Sequence, residues 1–160
     1  MTAMVTKEQN EERFPKRKHP RIPGYDYATP NYYFITICTH QNKCLFWTNK
    51  RLNWLGKLVF DSIQQIPGHF PHNRVDSFVV MPNHIHMILV VEPGGTDIST
   101  VVGSMKSYVT RQAHRIRPEL ALWQISFHDH VIRSWKQYQR IAEYIQNNPL
   151  RWEIDRFYVE

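Results

Sequence analysis

The period of the hydrophobic positions changes several times along the chain. Residues 32–39 (Tyr-Tyr-Phe-Ile-Thr-Ile-Cys-Thr) are aromatic and β-branched with no breaker, which predicts a strand. Leu52, Leu55, Leu58, Val59, Ser62, Ile63 and Ile66 then recur at helical spacing until Pro67-Gly68 stops them. Residues 75–81 predict a second strand. Pro82-Asn83 makes a tight connection, and residues 84–91 return as the other arm of a hairpin that Pro93-Gly94-Gly95 ends. Thr96 or Asp97 caps a helix with the buried stripe Ile98, Val101, Val102, Met105, Val109 and Ala113. Residues 124–132 predict a fourth strand. Ser134-Trp135-Lys136-Gln137 has capping-box spacing and opens a helix through Tyr138, Ile141, Ala142 and Ile145, stopped at Asn147-Asn148-Pro149. The order is β-α-β-β-α-β-α. Its first six elements fit an α+β, ferredoxin-like split βαβ fold: an antiparallel sheet with two helices on one face, plus an extra C-terminal helix.

Composition adds a size and a charge. The chain has 160 residues, 42% apolar and 13% aromatic, enough for one domain with a real core. Its apolar runs fall short of the roughly 20 residues a membrane helix needs, and the polar N-terminus has no signal-like apolar region, so the expectation is cytoplasmic. Cys38 and Cys44 are read as two reduced thiols. Lys and Arg number 20 against 14 Asp and Glu, a net charge of +6 that fits a polyanionic partner, nucleic acid above all. The positive residues cluster. Lys16, Arg17, Lys18 and Arg21 form one patch, and Arg111, His114, Arg115 and Arg117 another. Residues 1–30, punctuated by Pro15, Pro20, Pro23 and Pro30, read as a basic arm ahead of a domain over 31–160. Tyr25 and Tyr27 give the end of that arm an aromatic surface.

The chemistry concentrates at His84-Ile85-His86. Strand side chains alternate, so the two imidazoles share a face while Ile85, Met87, Leu89 and Val91 make the other face purely apolar. The third helix is then free to cover the histidine face. Tyr144 and Asn148, four apart, share one side of that helix. If the two elements meet, two imidazoles and a carboxamide hold a divalent ion with open positions, suited to Mg²⁺ or Mn²⁺, beside a tyrosine nucleophile. Each part also has a plainer reading: structural histidines, a core aromatic, a residue that ends a helix before proline. A second pair, His128-Asp129-His130, also lies on one face of a strand, and spacing alone does not rank the two pairs. Asp129 points the other way. Tyr138 is six positions from Tyr144, about 240° round the helix. Gly-rich phosphate loops, a nucleophile-elbow serine and a zinc Cys-x-x-Cys are all missing.

Three ordered segments, Met81-Pro82-Asn83-His84-Ile85-His86, Phe127-His128-Asp129-His130-Val131-Ile132-Arg133 and Tyr144-Ile145-Gln146-Asn147-Asn148-Pro149 with Trp152, closely resemble the REP-associated tyrosine transposases. These are a branch of the HUH single-tyrosine transposases. The resemblance extends from Arg17-Lys18-His19-Pro20-Arg21 and Pro23-Gly24-Tyr25 over nearly the whole chain. It implies a metal-dependent endonuclease and strand transferase that acts in DNA transposition on single-stranded DNA with palindromic hairpins, through a 5′-phosphotyrosine. By the same resemblance Tyr144 is the nucleophile, His84 and His86 are metal ligands, and Asn148 takes the third-ligand position, where many relatives carry Gln. His128 and His130 are left with a supporting or DNA-contacting role. Lys16, Arg17, Lys18, Arg21 and Tyr25 are expected to grip the DNA, with Arg111 and Arg115 adding charge. The alternative is a binder of structured single-stranded DNA that has lost catalysis.

Overall fold

The structure, a computed structural model, describes residues 21–160. Lys16, Arg17 and Lys18, with residues 1–20 of the expected arm, lie outside the described residues. Strand β1 (Asn31–Cys38) is followed by a small hairpin of β2 (Trp47–Thr48) and β3 (Arg51–Leu52). Asn49 and Lys50 turn it with positive φ at both central positions, the twist that a two-residue hairpin favours. Helix α1 (Trp54–Gln64) begins where the Asn53 side chain accepts a hydrogen bond from the Gly56 amide, and a short α2 (Ile66–His69) follows. Gly56 lies so close to β2 that a Cβ there would meet the Phe46 carbonyl oxygen at 2.2 Å. Strands β4 (Asn73–Val80) and β5 (His84–Val91) form the hairpin. Asp97 caps α3 (Ile98–His114) by accepting from the Thr100 amide. Strand β6 (His128–Ile132) leads to α4 (Trp135–Asn147), capped by Ser134, and a 3-10 segment (Asn148–Ile154) follows.

The main sheet has the order β4-β5-β1-β6 with every pairing antiparallel, so β5 is inserted between β1 and β4. That is the split βαβ topology. Several expected boundaries move. The first helix ends at Gln64, and Pro67-Gly68 do not stop it but lie within α2, whose first turn tolerates proline; the second strand covers Asn73–Val80 rather than residues 75–81. Leu52 belongs to β3 rather than to the helix, because Asn53 caps the helix after it. The fourth strand starts at His128, not at residue 124: Trp123 bridges Thr39 and the Gln124 amide donates to the Cys38 carbonyl, in a register different from that of β6. Between the two pairings Ile125 stands out into solvent while Phe127 turns into the core.

The sheet has two unlike faces. Tyr33, Ile35 and Ile37 of β1, with Ile85, Met87 and Leu89 of β5, pack against α1 and α3 in the principal core. The opposite face carries a smaller cluster of Ile88, Val90 and Ile132 under Ile145 of α4. Burial of each large apolar side chain contributes about 1.5–3 kcal/mol, so most of the stability resides on the first face. The second is left partly polar. Among the described residues no helix is long and apolar enough to cross a membrane. Cys38 is buried, Cys44 is exposed, and they are not bridged.

Candidate metal and nucleophile site

The histidine face of β5 and the last turn of α4 meet as the alternation and the helical spacing require. His84 and His86 are fully or almost fully buried, with ring centroids 4.6 Å apart. The Tyr144 hydroxyl lies 3.4 Å from His86 Nε2. Asn148, one turn further on, is also buried.

Hydrogen bonds fix the His84 tautomer. Asn83 Nδ2 donates to two backbone carbonyls, Asn42 at 3.1 Å and Phe157 at 2.7 Å. Carbonyls only accept, so the other end of that amide must be the oxygen, and Asn83 Oδ1 lies 2.8 Å from His84 Nδ1. His84 Nδ1 therefore carries the proton, and neutral His84 turns a bare lone pair inward at Nε2. His86 Nδ1 is anchored too, 2.8 Å from Thr36 Oγ1, a hydroxyl that can serve as donor or acceptor. Such outer partners hold metal-binding imidazoles at a fixed angle.

Two buried acceptors at the centre have no hydrogen-bond partner: His84 Nε2 and Asn148 Oδ1. Leaving one such atom unsatisfied costs about 1–3 kcal/mol. Beside them is a carboxylate that the sequence did not point out, Asp155. Its Oδ2 accepts from Asn148 Nδ2 at 2.9 Å and lies 3.9 Å from His84 Nε2, while its Oδ1 accepts from the Phe157 amide. One ligand atom from each of His84, His86 and Asp155 falls within 4.8 Å of the others. Ligands across a small octahedral ion stand about 4 Å apart. The donor set, imidazole nitrogens with amide and carboxylate oxygens, thus fits a borderline divalent ion such as Mn²⁺ or Mg²⁺.

The electrostatics agree. Burial pushes the His84 imidazole down to about 4, against the upward pull of Asp155 and Asn148. Burial, then His84, then Arg156 hold His86 well below its ordinary range. Both rings are neutral at pH 7, the form that binds metal. Burial and the Asp155 carboxylate raise the Tyr144 phenol, with the Asn148 amide and Arg156 opposing them, so the hydroxyl keeps its proton at neutral pH. Phe34 stacks on His86 with centroids 5.3 Å apart, and Phe157 covers His84 at 4.5 Å.

His128 and His130 share this face. Thr36 pairs in register with His86 on one side and His128 on the other, and Phe34 pairs with His130. The two histidines line a cavity of about 510 Å³ with His86, Tyr144, Arg156 and Phe157. They are not part of the His84–His86–Asp155 cluster. Asp129 points the other way, 3.6 Å from Arg21. Arg21 also packs over the Phe127 ring and bonds Ser99 at the start of α3. The Tyr25 hydroxyl bonds that of Tyr33, and Arg111 and Arg115 lie on or just past α3. These four residues expected to bind DNA therefore sit on the α3 side of the sheet, away from Tyr144. The Tyr138 hydroxyl donates to Asp76 and takes no part in the site. Asp155 and the clamp at Asn83 escaped the sequence reading. Asn83 stands in the sequence as a turn former and within the Met81–His86 segment, with no role of its own, and nothing local marks one carboxylate in the tail.

Comparisons with known proteins agree with the fold. An uncharacterized protein of Haemophilus influenzae is 36% identical over 90% of this chain and 94% of its own length. A REP-associated tyrosine transposase of Escherichia coli is 30% identical over 49% of this chain and 45% of its own length. Among solved structures, that of a REP-associated tyrosine transposase bound to a REP hairpin superposes with a TM-score of 0.62, at 22% identity, over 86% of this chain and 74% of the other. Residues 31–148 match the family described as "Transposase IS200 like", and with a sheet, a C-terminal helix and relatives of this kind, the chain belongs to that family of transposases.

Proposed function

We propose that the protein nicks and rejoins single-stranded DNA beside a hairpin, with Tyr144 as nucleophile and a divalent ion held by His84, His86 and Asn148. The observation that carries this reading is the pair of buried, unpartnered acceptors, His84 Nε2 and Asn148 Oδ1, next to the Tyr144–His86 contact. The Asn148 amide is oriented by its bond to Asp155, which leaves Oδ1 as the ligand end; the Asp155 carboxylate is a further oxygen at the same place. A bound ion there would polarise a phosphodiester oxygen as a Lewis acid. Tyr144 attacks the phosphorus, the P–O3′ bond breaks, and the chain keeps a 5′-phosphotyrosine while a free 3′-hydroxyl departs. The phenol proton passes to solvent and the departing oxygen takes one up. Reversal of the step rejoins a strand.

A hairpin partner is supported by the relative solved with one, and by the chain's positive charge. Lys16, Arg17 and Lys18 add charge to that grip. Arg111 and Arg115 lie on the far face and touch DNA only beyond the reacting strand. His128 and His130 line the cavity beside Tyr144 and contact the strand there.

The test is covalent capture. Labelled hairpin DNA with single-stranded flanks, incubated with the protein and Mn²⁺, should give a denaturation-resistant adduct that disappears in Tyr144→Phe and in EDTA. Binding without cleavage would leave a DNA-binding module only. Cleavage without adduct would mean that water, not Tyr144, attacks.

A further inference from the structure

The first turn of α4 builds an aromatic ladder that the reacting site does not use. Trp135 is 70% exposed, yet one face of its indole stacks on Tyr138 with centroids 5.0 Å apart and planes at 15°. Tyr138 is held in turn by its bond to Asp76 and by an edge contact with Tyr32, over which Arg74 lies. The indole thus lies against a ring that is itself held, with its outer face in water. Beside it is a cavity of about 340 Å³ lined by Tyr32, Ile132, Arg133, Ser134, Trp135 and Tyr138. Residues 133–142 contain Arg133, Lys136 and Arg140, against the Asp76 carboxylate that Tyr138 bonds and Glu143 three residues past Arg140. Lys136, Arg140 and Tyr144 follow one another at one-turn spacing along one side of the helix. Trp135 is nine residues before Tyr144, about 14 Å along the axis and about 180° round it, so a strand joining the two crosses the outer face of the helix past Arg140 and Lys136.

We propose that this ladder is a stacking subsite for one unpaired nucleobase of the DNA strand, a few nucleotides from the phosphate at Tyr144, with Lys136 and Arg140 against the intervening backbone. The inference rests on the reading that the protein acts on single-stranded DNA. An exposed indole already stacked on one face loses little freedom when a base lies on the other, and every base has a face to stack. The three cations favour an anionic partner over an apolar segment, the proposed function makes that anion a phosphodiester strand, and the cavity has the size of a small-ligand site.

Abasic scanning tests it. Hairpin DNA with unpaired flanks on both sides is bound in EDTA, so that no cleavage intervenes, and one abasic site is moved through each flank position. Wild-type protein should bind at least about fivefold more weakly when the site reaches one particular position, the low end for loss of one base–aromatic stack. Trp135→Ala should bind intact DNA more weakly by a similar factor and ignore that position, while Trp135→Phe should keep part of the effect. A stem without flanks should bind both proteins alike. The proposal is overturned if Trp135→Ala still senses the same abasic position, if it binds intact DNA as the wild type does, or if its loss is as large on the bare stem. If wild-type protein fails to bind any hairpin DNA, the functional reading itself has failed; if it binds and Trp135 is immaterial, only the subsite has.

Discussion

Replacing Asn83 by Ala should damage both the fold and the metal site, by amounts that the hydrogen bonds allow one to work out. Asn83 is completely buried and its side chain makes three bonds: donations to the Asn42 and Phe157 carbonyls, and acceptance from His84 Nδ1. Alanine leaves two carbonyl oxygens and one imidazole N–H without partners in a space little larger than the lost amide. At about 1 kcal/mol for each bond, and more for any group that water does not reach, the loss is about 3 kcal/mol. With a urea slope of about 2 kcal/mol/M, the unfolding midpoint should fall by about 1.5 M. His84 also becomes free to turn or to change tautomer, so Mn²⁺ affinity should fall about 10- to 100-fold, as for loss of other outer partners of metal-binding histidines. Urea unfolding in EDTA, followed by tryptophan fluorescence, reads the first quantity; titration calorimetry with Mn²⁺ reads the second. A stability loss below about 1 kcal/mol together with unchanged Mn²⁺ affinity would refute the clamp and the tautomer argument built on it.

The metal-free protein should lose stability on acidification. His84 titrates near 4 when folded and near 6.5 when unfolded, so between those values only the unfolded chain binds the proton and stability falls as pH is lowered from about 6.5 towards 4. His84 alone accounts for about 3 kcal/mol, with His86 acting in the same direction; unfolding midpoints measured in EDTA should show the slope, and His84→Gln should flatten it. Met87→Ala, on the apolar face of the same strand, should cost about 3 kcal/mol by creating a cavity, while adduct formation per folded molecule stays near wild type. A drop in adduct larger than the drop in folded protein would show that the two faces are coupled.

Much of this arrangement was legible because it rests on local rules. The bounds of β5 follow from the turn at Pro82-Asn83 and the break at Pro93, and the caps at Asp97 and Ser134 follow from side chains that reach only three residues. Two periodicities place His84 with His86, and Tyr144 with Asn148, on shared faces; that these two faces meet, and that this histidine pair outranks His128 and His130, was implied only by the family resemblance. What escaped is decided by distant partners. The truncated start of β6 depends on how Trp123 finds Thr39, and Arg21 is drawn to Asp129 and Ser99, which lie far along the chain. Asp155 reaches the histidines only because the tail after Pro149 folds back and Asn83 holds Phe157. No spacing rule describes such a return.

The strict alternation along β5 divides one strand between two selective pressures. Position by position, the odd-numbered residues answer to cohesion of the core and the even-numbered ones at its start answer to chemistry, so substitutions can tune either without the other. Their phase is another matter. A single residue inserted or deleted within the turn at Pro82-Asn83, or early in the strand, would carry both imidazoles into the core and bring Ile85 and Met87 under Tyr144, or else force a bulge. This protein should therefore accept substitutions that keep the character of each face of β5 and almost no change in the length of the chain that leads into it, much as a reading frame tolerates substitutions but not slips.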